Sequence, residues 1–213
     1  MNVNKFIKYL FLINITFFIS CKDSNFQEKE EESVYQIVSY LTDNLRGSIV
    51  LDPSFPPTPD GSEYNHTTQD SLRSYKYFYK QTIRKKTIAF TSEMFVPMNK
   101  ADFNSNCFKE EKLLSSLFSK KETRKIEINK ITSFKKDSLI YYTDKHKKML
   151  GRGFIEIDML LSFSRISFNK DYSKAFLIVG VTYEKLNSFT TLIYLEKKYG
   201  VWKIKCQEGL TIS

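Results

Sequence analysis

Residues 174–184, KAFLIVGVTYE, are followed by 189–198, FTTLIYLEKK, and by 201–206, VWKIKC. A fourth apolar run, MLLSFSRISF at 159–168, precedes them. The segments between them, NKDYS, KLNS and YG, are short and polar. Runs of strand length separated by such breaks pair antiparallel in chain order, because a two- to five-residue loop can only turn a strand back on its neighbour. In the last run Trp202, Ile204 and Cys206 alternate with Val201, Lys203 and Lys205. That is the pattern of a strand with one buried face and one wet face. Residues 159–206 are therefore expected to form a meander with an apolar side that something must cover.

Working outward, residues 31–47, EESVYQIVSYLTDNLRG, supply the cover. Val34, Ile37, Val38, Leu41 and Leu45 fall on one helical face, acids crowd the start, and Gly47 follows the end. SIVLD at 48–52 suits a short strand, and the proline-rich 53–62 cannot extend it. Residues 69–84 fit a helix or an aromatic strand. KTIAFTS at 86–92 suits a strand, KEEKLLSSLFS at 109–119 a short helix, and KIEIN and SLIYYT two short strands. The expected class is α+β, an antiparallel C-terminal meander packed against an N-terminal helix. This plan looks like the cone of the nuclear transport factor two family or of a cystatin, an analogy of architecture that carries no function.

The N-terminus addresses the chain. Lys5 and Lys8 precede an apolar run from Phe6 to Ile19 that Asn14 interrupts. The run is shorter than the roughly 20 residues needed to cross a hydrocarbon core, and its layout is that of an export signal. FISC at 18–21 looks like a lipobox, with Phe18 where leucine is usual. On this reading Cys21 is the site of lipid attachment, and its fatty acyl chains hold the mature chain to a membrane. A plain cleaved signal with an incidental cysteine is the competing reading. Lys22 and Asp23 behind the cysteine resemble the export signal of Bacteroidota-type lipoproteins, which leads to the outer face of the outer membrane. The division that follows is a signal peptide at 1–20, a polar tether at 21–30 and one domain at 31–213.

Composition excludes little. The formal charge is +9, with an acidic segment at 22–60 and a basic remainder. Such a body could meet lipid head groups or acidic polysaccharide. No nucleic-acid motif accompanies it, and nucleic acid is not an expected partner. With Cys21 lipidated, Cys107 and Cys206 remain, either as a disulfide in an oxidising compartment or as two buried thiols. His66 and His146 lack neighbours at ligand spacing, so no metal and no cofactor is expected. There is no phosphate loop, nucleophile elbow or Cys-x-x-Cys, and no catalytic residue is assigned. Glu156 and Asp158 would share one face of an extended segment, as a carboxylate pair or as a strand's wet side. Arg165 would pair with a buried acid or point into a ligand cleft. Trp202 reads as a core anchor.

A resemblance spans about 45 residues. Ser164 and Arg165, then Phe168, Asn169 and Asp171, then Ala175, then Leu195 to Lys198 and Gly200 to Ile204 resemble a pattern in uncharacterised exported proteins of Bacteroidota. Those proteins often carry a Gly- and Cys-rich segment before the third strand. This chain has TYEKLNSFTT there, so no property of that segment is implied. The resemblance implies export but no agreed activity. Two functions are expected from these observations: a non-catalytic lipoprotein that serves as a structural module or binds a protein or a glycan, or a small carboxylate-dependent hydrolase or transferase working in the concave face of the sheet.

Overall fold

A computed structural model describes residues 26–46, 83–97, 108, 110–133, 135–146, 156–184 and 187–212, with scattered positions between 69 and 80. The helix α1 runs through 26–46. Its start lies earlier than expected, because 26–30 is helical rather than a tether. Gln27, Glu28, Lys29, Glu30 and Glu31 are all strong helix formers, acids suit the positive end of the helix, and the Phe26 ring meets Tyr172 at 5.3 Å. The described positions between 69 and 83 are helical, which resolves the ambiguity there. A second short helix, α2, spans Glu111–Phe118.

Among the described residues nine strands follow in chain order: β1 Thr87–Phe90, β2 Glu93–Met94, β3 Arg124–Lys125, β4 Ser138–Tyr141, β5 Met159–Phe163, β6 Ser167–Phe168, β7 Lys174–Glu184, β8 Asn187–Lys198 and β9 Val201–Ile212. The main sheet has the order β4-β1-β5-β7-β8-β9, with β6 also on β7, and β2 pairs β3 separately. The meander is present in chain order and antiparallel throughout. It extends to Ile212, beyond the apolar run that announced it. The fold is α+β.

Two features depart from expectation. First, β1 sits between β4 and β5 and is parallel to both. Ile88, Ala89 and Phe90 are fully buried there, as a central parallel strand requires. Second, the meander is covered on both faces. Val34, Ile37, Val38 and Leu41 of α1 close one side, over Leu177, Val179, Val181, Ile193, Leu195 and Trp202. Leu113, Leu114 and Leu117 of α2, with Phe108, close the other, over Phe176, Ile178, Leu192 and Tyr194. At about 1.5–3 kcal/mol per buried large side chain, each helix adds substantially to the sheet. Ser167 is fully buried and donates to the Leu113 carbonyl at 2.9 Å, which ties α2 to β6.

A bulge explains one misplaced residue. Leu195 pairs Ile204 but Tyr194 pairs Cys206, so Lys205 is the extra residue. An inserted residue turns every later side chain to the opposite face. Trp202 and Ile204 therefore lie under α1, while Cys206 lies with Tyr194 under α2. The strict alternation expected through Cys206 fails at that bulge.

Candidate functional site

One side of α1 carries Gln27, Glu28, Glu31, Glu32, Tyr35, Gln36, Ser39 and Tyr40, which follow one another at helical spacing. With Lys130, Thr132 and the turn Gly200–Trp202 they line an open cleft of about 960 Å³. The walls are held from both flanks. Tyr35 Oη accepts the Glu127 N–H at 3.0 Å and Ser39 Oγ accepts the Thr132 N–H at 2.9 Å. On the β9 flank, Tyr40 Oη accepts the Ile204 N–H at 3.3 Å.

The rim is charged. Lys130 bonds Glu31 and, at 2.8 Å, Glu127, while Arg124 lies 3.5 Å from Glu30 and 3.7 Å from Glu31. The Lys130 bond holds the Glu31 carboxyl below the usual range. Bonds to Glu127 and then Glu31 hold Lys130 above its own. Lys130 Nζ also stands 5.5 Å from the Tyr35 ring centre. Glu28 has no ion-pair partner among the described residues.

Two polar atoms in the wall are unsatisfied. Gln36 donates to Glu32 at 2.7 Å, which leaves its Oε1 buried with no donor. Trp202 is 2% exposed, and its Nε1 has no acceptor among the described residues. Leaving a buried polar group unpaired costs about 1–3 kcal/mol. The accessible wall is made instead by Tyr35, Tyr40, Ser39, Gln27, Glu28, Glu31 and Glu32, which set rings beside hydrogen-bonding groups.

The expected site residues fall elsewhere. Cys21, Cys107 and His66 lie outside the described residues. Cys206 is disulfide-bonded, and the sulfur it meets also lies outside them. Among the described residues Arg165 pairs with no acid, and it does not line the cleft. It donates to the Glu122 carbonyl at 2.9 Å between β5 and β6. Glu156 has φ of 63°, so the alternation that would align it with Asp158 does not apply. His146 Nδ1 sits 3.0 Å from the Thr143 N–H, and no metal-ligand cluster occurs among the described residues. Nor is any helix among them long and apolar enough to cross a membrane. No protein-family model, curated protein or solved structure matches the chain.

Asp158 belongs to a second charged group that sequence reading missed. The parallel register sets Thr87 beside Ser138 and Ile88 beside Met159. The residues just before these strands therefore line up. Asp137 accepts the Lys86 N–H at 2.9 Å and Asp158 accepts the Thr87 N–H at 2.9 Å. Arg46, at the end of α1, bonds Asp137 and donates to the Arg84 carbonyl at 2.6 Å, while Arg84 bonds Asp158. The Lys86 amine is sealed in beside them, within 3.5 Å of the Arg46 carbonyl. Burial first, and the Arg46 charge second, push its pKa down to about 8. Lys86 is only 1% exposed, so its amine is closed to a substrate, whereas Arg84 at the edge of the group is open to solvent.

Proposed function

We propose that the protein is an outer-membrane lipoprotein anchored through Cys21, and that it acts as a non-catalytic binding module whose ligand occupies the α1 cleft. The lipobox-like FISC and the resemblance to exported Bacteroidota proteins support the address. The open cleft, walled by the Tyr35 and Tyr40 side chains and by the carboxylates, amides and hydroxyl of α1, supports the binding role. Of the two expected partner types, a glycan suits this chemistry better than a protein. Sugar rings present apolar C–H faces to aromatic side chains and hydroxyls that both donate and accept, which suits a wall that mixes rings with carboxylates, amides and a hydroxyl.

The enzymatic alternative has less support. The face of the sheet under α1 is filled, among the described residues, by buried side chains from Val34 to Trp202. In the cleft, Glu28, Glu31 and Glu32 all project from one helix. Hydrolysis with two carboxylates needs them on opposite sides of the bond that breaks, and this arrangement supplies one side only.

Trp202 is the single tryptophan of the chain and lies in the wall, so its fluorescence reports occupancy. Titration with a panel of oligosaccharides is expected to change its emission saturably for at least one member, which is recovered uncleaved. Glu32→Ala should weaken that response. A flat response across the panel, or a cleaved product, would overturn the reading. Fatty-acid labelling of the wild type but not of Cys21→Ala tests the anchor separately.

A further inference from the structure

The β8–β9 hairpin turns through Tyr199 and Gly200, with φ of 51° and 78°. Positive φ at both central residues is the backbone of a type I′ turn, for which Asn-Gly is the favoured pair. Tyrosine at the first position is strained, because a bulky side chain there crowds its own backbone. The Tyr199 ring does not offset this by packing, being 104% exposed. Val201 beside it is 55% exposed. An exposed apolar residue alone means nothing, but a ring kept in the left-handed region and touching nothing points to a contact outside the chain.

The surroundings say what that contact is. The cleft is lined by Gln27 and Glu28 as well as by Gly200 and Val201, so the start of α1 and the hairpin tip share one end of the molecule. Ring contacts join them: Phe26 to Tyr172 at 5.3 Å, Tyr172 to Phe168 at 5.1 Å and Phe168 to Trp202 at 6.2 Å. The turn at 169–173 is held there too, by the Lys197 N–H to the Ser173 carbonyl at 2.7 Å. Phe26, at this end, is 54% exposed. Lys198 and Lys203 flank the tip and Lys29 and Lys170 stand nearby, all exposed. Glu28 and Asp171 are exposed here as well, so the charge is mixed and the apolar groups must carry the contact. Cys21 lies five residue steps before Phe26. Five steps span at most about 18 Å whatever their conformation.

We infer that this end of the protein is a bilayer-docking surface, in which Tyr199, Val201 and Phe26 enter the lipid head-group zone and the neighbouring lysines meet phosphates. Tyrosine suits that zone because its ring is apolar and its hydroxyl is wet, and lysines reach back to the polar layer. The inference rests on the lipid-anchor reading for its geometry, since a lipid on Cys21 would hold this end at the membrane. Lipid and tip together then fix the domain's orientation, with the cleft opening beside the bilayer.

The test uses the full chain carrying Tyr199→Trp on vesicles of phosphatidylcholine with a minor fraction of phosphatidylglycerol, brominated on their acyl chains. The wild-type protein, whose buried Trp202 gives the baseline, is measured alongside. Emission of the variant should shift to the blue and be quenched several-fold more than the wild type, and adding Val201→Asp should reverse most of both effects. Mass analysis of Cys21 in the same samples reads the anchor independently. Enhanced quenching with an unmodified Cys21 would uphold the tip and remove the anchor reading. Emission at the wavelength of water with quenching no greater than the wild type, in protein shown to carry the lipid, would overturn the tip and leave the anchor standing. The same result without lipid would overturn both.

Discussion

The two ends of α1 carry charge under opposite conditions. At the first end Glu30 and Glu31 meet Arg124 and Lys130 at the rim of an open cleft, with side chains a fifth to two fifths exposed. About 23 Å along the helix, Arg46 meets Asp137 with side chains 4% and 0% exposed, beside the sealed Lys86. Water screens the first set, so its members can exchange partners at little cost. The second set has no water to fall back on, and removing one member strands another. An adjustable, partly satisfied surface suits a ligand, whereas the closed set fastens the starts of β1, β4 and β5 to the end of α1.

That contrast can be broken by substitution, and the largest effect is expected inside. Asp137→Ala strands Arg46 and the Lys86 N–H, and should lower unfolding stability by about 3–5 kcal/mol in urea melts. A loss under 1 kcal/mol would show that water reaches the group. Next comes the disulfide. We propose Cys107 as the partner of Cys206, since Phe108 packs in the same cluster. Reduction, checked by non-reducing mass mapping, should then cost about 2–4 kcal/mol.

Lys86 sharpens the comparison with the opposite sign. Its folded pKa of about 8 lies below the ordinary 10.5. Between these values the unfolded chain holds a proton that the folded chain does not, so stability rises as pH rises through that window. Below pH 8 the penalty is full, and above 10.5 it is gone. Lys86→Met should therefore raise stability at pH 7 by about 1–3 kcal/mol and flatten the rise between pH 8 and 10.5. The smallest effect is expected at the rim. Glu31→Gln should move Tm by no more than ~2 °C, and that change should fade in high salt.

Sequence patterning disclosed the meander because its contacts are sequential. Each strand of β7, β8 and β9 is paired with the next across a loop short enough to see. The same patterning was silent on β1. Its neighbours β4 and β5 lie some 50 and 70 residues away, and parallel pairing over such distances leaves no local mark. Asp137 and Lys86 were therefore unremarkable as a string of letters, and Asp158 drew notice only beside Glu156. The bulge at Lys205 was equally hidden, so Cys206 was set on the wrong face. The cleft was half legible. Tyr35 and Tyr40 punctuate the polar side of a helix that was recognised, but nothing local showed that Gly200–Trp202 would close over them.

Amide hydrogen exchange, with and without the tightest-binding oligosaccharide of the panel, tests the binding role of the cleft most directly. Slower exchange is expected over 27–40 and at 200–202, with no change at the starts of β1, β4 and β5. Protection confined to those strand starts, or spread over neither region, would contradict it.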